Sequence, residues 1–169
     1  MTTQTYAHAT VFALTHNIVF LSDNLRNTLR EVIRENGISP EKLMQDWETL
    51  ERGIRTWLRS GHLKNVIVEF FKPGASVAST RWDFPIGYVG TGVHDDMWFD
   101  KSHLRQLIAK SARPSSDCSY RVVLRTDPGE PFVPGFVDCS LLSTGTLAAR
   151  QAGTVIATGH MTAAVTYWR

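Results

Sequence analysis

The stretch Ser119-Tyr120-Arg121-Val122-Val123-Leu124-Arg125, followed at once by Thr126-Asp127-Pro128-Gly129-Glu130-Pro131, decides how this chain can be laid out. An apolar strand runs straight into Pro and Gly, and the remaining sequence to Arg169 is weakly strand-like, with no strong helix. A tail that is apolar enough to pack, yet broken at its start, can be placed against a fold in more than one way. It reads as a clasp rather than a rigid core element.

Upstream of that strand the pattern is helical. Val11, Leu14, Ile18, Leu21, Leu25, Leu29 and Val32 recur at spacings of three and four, which predicts one amphipathic helix from about Thr10 to Asn36, stopped by Gly37. Ser39 as N-cap, Pro40 at the first helical position and Glu41 at the positive end of the dipole predict a second helix. Its buried stripe is Leu43, Trp47, Leu50, Ile54 and Trp57 or Leu58, and Gly61 is its stop. From Leu63 the period changes. Val66-Ile67-Val68-Glu69-Phe70-Phe71 is a near-continuous apolar run, and Trp82, Phe84, Ile86 and Tyr88 alternate, with Pro73-Gly74-Ala75-Ser76 as the loop between them. Pro85 has no amide to donate, so the second strand is expected at an edge or to end there. A short helix is expected from Asp100 to Ala112, with Leu104, Leu107 and Ile108 inward, and further strands at Phe136-Val137-Asp138-Cys139 and Val165-Thr166-Tyr167-Trp168. Without repeats or linkers, this order predicts one α+β unit, helices on one face of a mainly antiparallel sheet.

The 169 residues, 43% of them hydrophobic, suffice for one core and would be cramped as two. Eighteen basic against 16 acidic residues create no field that favours direct nucleic-acid or membrane contact. No apolar run approaches the roughly 20 residues of a membrane span, and Met1 to Tyr6 lacks the pattern of a secretory signal, so a cytoplasmic protein is expected. Cys118 and Cys139 have neither zinc-site nor redox spacing and are read as two reduced structural thiols; no metal or cofactor is expected.

Catalytic motifs are missing: there is no phosphate-binding loop, nucleophile elbow or His-Glu-x-x-His, and Gly87 to Gly92 lacks the order of a dinucleotide fingerprint. The sharpest enzymatic candidate is His94 beside Asp95 and Asp96, with His103 or a metal, because a carboxylate beside an imidazole can tune it for acid/base work. Adjacent loop residues rarely converge on one substrate, and the same residues read better as a solvated turn. His16 reads as half-exposed beside the helical stripe, and His62 as a partner of the carbonyl end of the second helix. Trp47 and Trp57 read as core, and Arg26, Arg30 and Arg34 with Glu31 and Glu35 as a solvated helical face; His103 and His160 have no identifiable partner. Binding is the better class. Were Tyr120 to Leu124 an edge strand, its free amides and carbonyls would accept an extended peptide, and a segment crossing over that peptide would make release slow.

The chain resembles the HORMA domain, and in particular the bacterial members encoded with cGAS-like nucleotidyltransferases in CBASS anti-phage defence. The resemblance lies in the order of short motifs. These are the polar leader ending in Thr5-Tyr6, Thr10-Val11-Phe12-Ala13-Leu14-Thr15-His16, Trp57-Leu58-Arg59-Ser60-Gly61-His62-Leu63, Arg81-Trp82-Asp83-Phe84 and Gly90-Thr91-Gly92-Val93-His94-Asp95-Asp96. It implies one domain over residues 1–169, with a fixed core, a flexible leader over about 1–9 and a mobile C-terminal safety belt over about 126–169 that wraps a closure-motif peptide. Tyr120, Arg121, Val122, Val123 and Leu124 would form the strand the peptide joins, with Phe132, Phe136, Val137 and Leu141 packing the belt. Few large anchors lie between Arg150 and Gly159. By the same resemblance the closed state activates the nucleotidyltransferase, and a AAA+ ATPase reopens the domain by engaging Thr2, Thr3, Gln4, Thr5 and Tyr6. The domain itself would catalyse nothing, and whether a second HORMA protein supplies the peptide stays open.

Overall fold

The computed structural model describes residues 2–89 and 97–169, with the side chains of the first helix described from Ala13 onward. In chain order, α1 (Thr2–Glu35), α2 (Glu41–Gln45) and α3 (Trp47–Ser60) precede the strands β1 (Leu63–Phe71), β2 (Thr80–Tyr88) and β3 (Trp98–Phe99). There follow α4 (Lys101–Lys110), β4 (Ser119–Thr126), β5 (Ala149–Ala157) and β6 (Met161–Trp168).

The glycine stops form as expected, and the reason is visible in the backbone. At Gly37 (φ 81°) its own N–H reaches the Arg34 carbonyl and that of Ile38 the Ile33 carbonyl; at Gly61 (φ 76°) the pair is Gly61 to Leu58 and His62 to Trp57. Both are double closures of the last turn that need a left-handed residue. The Ser39 hydroxyl accepts the Glu41 N–H at 3.3 Å, and the carboxylate of Asp100 accepts the His103 N–H at 2.9 Å to start α4. Two helical expectations change. α1 begins at Thr2 rather than near Thr10, and the second helix is interrupted at Asp46 into α2 and α3.

All six strands form one sheet in the order β3-β5-β6-β2-β1-β4, and every strand pairing is antiparallel. Pro85 therefore sits in a central strand, contrary to expectation. Its missing donor is accommodated where the β2–β6 ladder passes from Asp83↔Thr166 to Ile86↔Ala163 and skips Phe84 and Pro85, while β1 still faces Pro85 through Asn65. The tail also divides. Its last part, Ala149 to Trp168, is a hairpin built into the sheet against β2, whereas Phe136 to Cys139 is not a strand, because it lies in an irregular connection between β4 and β5.

Register sets two faces. Val66, Val68 and Phe70 of β1 share the helix-covered face with Trp82 and Phe84 of β2 and with Tyr120, Val122 and Leu124 of β4. There they meet Ile18, Leu21, Leu25, Leu29, Val32, Ile54, Trp57 and Leu58 in one core. The helical face expected to be solvated is partly consumed: Glu31 is buried, and its carboxylate pairs with Arg34 at 2.9 Å and with Arg105 of α4 at 3.3 Å. On the opposite face of the sheet lie Ile67, Glu69, Arg81, Asp83, Arg121 and Val123. Among the described residues no helix is long and apolar enough to cross a membrane.

Candidate functional site: a free strand edge crossed by a loop

β4 is the last strand of the sheet and is hydrogen-bonded only to β1, so its outer edge is unoccupied among the described residues. A bare edge is a row of unspent backbone donors and acceptors. What lies over this one is the connection 127–148.

That connection starts at the end of β4, where the Asp127 N–H donates to the His62 carbonyl at 2.9 Å and the Asp127 carboxylate meets Lys64 at 3.0 Å. It then runs along α3. The Trp57 indole N–H donates to the Pro131 carbonyl at 2.8 Å, and the Phe136 ring packs edge-on against Trp57 at 4.9 Å between centroids. Gly53 makes this possible, because a Cβ at that position would overlap the Phe136 ring. Gly135, at φ 94°, turns the chain tightly against Thr49. A few residues later the same connection is on the other face of the sheet. There the Leu142 N–H donates to the Glu69 carboxylate at 2.8 Å, the Ser140 carbonyl accepts from Arg121 at 2.5 Å, and Ser143 is bridged to the β1–β2 loop through Ala78 at 2.8 Å. The connection passes from the helix face to the back face around the free edge of β4. Anything added to that edge would be encircled.

Between the edge, α2–α3 and the connection lies a groove of about 480 Å³. Leu43, Leu50, Val122 and Phe136 give it an apolar floor, with Lys42 and Asp46 at the rim. The Leu43 N–H donates to the Tyr120 hydroxyl at 2.9 Å, which ties α2 to β4, and burial pushes the Tyr120 pKa above its ordinary value.

Of the residues expected at a peptide site, Tyr120, Arg121, Val122, Val123, Phe136 and Val137 line this groove. Leu124 instead packs on the core, Phe132 is 88% exposed, and Leu141 is outside the lining. Lys42, Leu43, Asp46, Thr49 and Leu50 were missed as site residues; their pattern marks a helix, and nothing local says which groove it borders. Glu69 was missed too, although a charge inside an apolar run is a signal, since a buried acid needs partners.

The histidines go elsewhere. His103 Nε2 donates to the Ala152 carbonyl at 2.7 Å, His62 Nδ1 meets the Ser60 hydroxyl at 2.9 Å, and His160 Nδ1 lies 2.6 Å from the Asn17 amide. His94, Asp95 and Asp96 lie outside the described residues. Among the described residues no group of three or more His, Cys, Asp or Glu could hold a metal. Both cysteines are free; Cys118 is buried, but Cys139 is exposed on the crossing connection, at the border of the groove.

A family model described as "Bacterial HORMA domain 2" matches residues 6–169. Among curated proteins none matches in sequence. Solved structures that share the fold include the following three. A chain of a mitotic checkpoint complex aligns with TM-score 0.70 at 11% identity, over 89% of this chain and 97% of that one. HTP-2 of C. elegans, bound to the HIM-3 closure motif, aligns with TM-score 0.60 at 13% identity, over 87% and 90%. A chain of the E. coli MS115-1 HORMA:CdnC:Trip13 complex aligns with TM-score 0.57 at 17% identity, over 92% and 89%.

Proposed function

The chain belongs to the bacterial HORMA domain 2 family, and on that premise we propose that it captures an extended closure-motif peptide as an added strand on the free edge of β4, beneath the connection 127–148. The observation that carries this reading is the passage of that connection from one face of the sheet to the other around an unpaired edge. Backbone hydrogen bonds along β4 would supply affinity, and the apolar groove would select alternate side chains of the guest. A peptide so enclosed leaves only when the connection lifts, which makes the filled and empty forms a switch.

On this reading 127–148 is the working part of the safety belt, while Ala149 to Trp168 is its anchored end, seated on β2. The C. elegans relative bound to a closure motif supports the peptide, and the E. coli complex supports the partners. The filled form would bind and activate a cGAS-like nucleotidyltransferase, and a AAA+ ATPase engaging Thr2 to Tyr6 would reopen it. The role is regulatory, in anti-phage signalling, with no reaction of its own.

Random peptide display against the full chain tests the capture. One extended motif should be enriched, and Val122→Asp, which puts a charge in the groove floor, should abolish its binding, as should Val137→Asp at an exposed groove position that the core does not need. Enrichment of nothing, or binding indifferent to Val122→Asp, would count against it.

A further inference from the structure

Glu69 stands in the middle of β1 with its residue 0% exposed. A carboxylate in that position is costly unless each oxygen is satisfied. One oxygen accepts from the Arg121 Nε at 2.6 Å, and the other accepts the backbone N–H of Leu142 at 2.8 Å. Arg121 uses its second arm on the same connection, donating Nη2 to the Ser140 carbonyl at 2.5 Å. Two backbone groups of the crossing segment, one donor and one acceptor, are thus held by a single ion pair that spans β1 and β4. The neighbouring Arg81 sends its hydrogen bonds to Asp83 rather than to Glu69. It is engaged by both oxygens of Asp83 at 2.7 Å and lies 4.8 Å from the Trp168 ring.

The front of the loop around the β4 edge is held by a neutral hydrogen bond, Trp57 to Pro131, and by the Phe136 ring; the back is held by the ion pair and, one residue on, by backbone bonds between Ser143 and the β1–β2 loop. Charge-assisted bonds are roughly twice as strong as neutral ones. We propose that Glu69 is the positioning residue that fastens the crossing segment behind β4, holding Leu142 directly and Ser140 through Arg121. The fastening is a property of the empty chain. Its consequence for a guest rests on the peptide-capture reading: weakening this ion pair speeds escape, because the segment must leave Glu69 before the edge is exposed.

Hydrogen exchange on the full chain separates the two. In Glu69→Gln and in Arg121→Lys, the Leu142 amide should exchange roughly tenfold or more faster than in the parent, as loss of a charged hydrogen bond implies, while the amides of Val66 to Val68 keep their protection. Arg121→Lys retains the charge but cannot serve both Glu69 and Ser140, so it decides the matter if Glu69→Gln fails to fold. A peptide enriched by display against the parent should then dissociate faster from either variant, with its association rate unchanged. Unaltered exchange at Leu142 in a folded variant overturns the fastening, and faster exchange with an unaltered dissociation rate overturns its control of escape. Faster exchange together with failure to enrich any peptide upholds the fastening and overturns the capture reading instead.

Discussion

Gly53 and Phe136 show how much a single atom decides at this site. The Phe136 ring occupies the space a side chain at position 53 would need, so Gly53→Ala should push the ring off Trp57 and cost about 1–3 kcal/mol in chemical denaturation. If the clash is the cause, the same change made in a Phe136→Ala background should cost clearly less than in the parent, a double-mutant cycle with strong coupling. Tyr88 gives a pH signature. Burial, with the nearby charge of Asp127 adding, pushes its pKa up to about 12 from 10.0. The raised value means the folded state keeps the proton after the unfolded chain has begun to lose it. Its stabilising contribution is therefore complete below pH 10.0 and lost as the pH rises through about 12. Tyr88→Phe should remove that share of the alkaline loss, measured as urea midpoints across the window.

At the scale of elements, local signals worked where the cause is local. Gly37, Gly61 and Asp100 mark helix ends because the backbone conformation and the cap are settled within a few residues. Asp100→Ala should accordingly lower stability by about 1 kcal/mol, checked by denaturant titration. Pro85 misled for the converse reason. Its lack of a donor predicts an edge only if no neighbouring strand can forgo that bond, and β6 does so by skipping a pair. Likewise Phe136 to Cys139 has a strand's composition but passes over the β4 edge without pairing with it, its apolar residues being spent on α3 and on the groove instead. The small-residue run after Arg150 becomes β5 through the β-branched Thr154, Val155 and Ile156 together with β6 and β3, which flank it.

For the molecule as a whole, the tail divides into a buried hairpin and an irregular connection in this conformation. Val155, Ile156, Met161, Ala163 and Val165 are each no more than 1% exposed and belong to the buried interior. A chain ending at Arg125 should therefore lose its cooperative thermal transition altogether, as followed by circular dichroism, rather than fold with an open groove. A chain retaining the hairpin but carrying Phe136→Ala should keep that transition and gain protease sensitivity confined to 127–148. The first outcome separates the hairpin, as core, from the connection, as the movable part.

By itself, the sequence determined the helices and their stops, the central strands, the Tyr120 to Leu124 strand with its Pro/Gly exit, and the family resemblance, because each is written in neighbouring residues or in their order. Only the tertiary structure decided which sheet edge the C-terminal hairpin occupies, and with it that β4 is left bare and encircled. A strand pattern says which face is buried but is the same for both edges, so the choice rests on contacts between residues far apart in the chain. The Glu69 to Leu142 bond is one such contact, and it exists only once β1, β4 and the connection have been brought together.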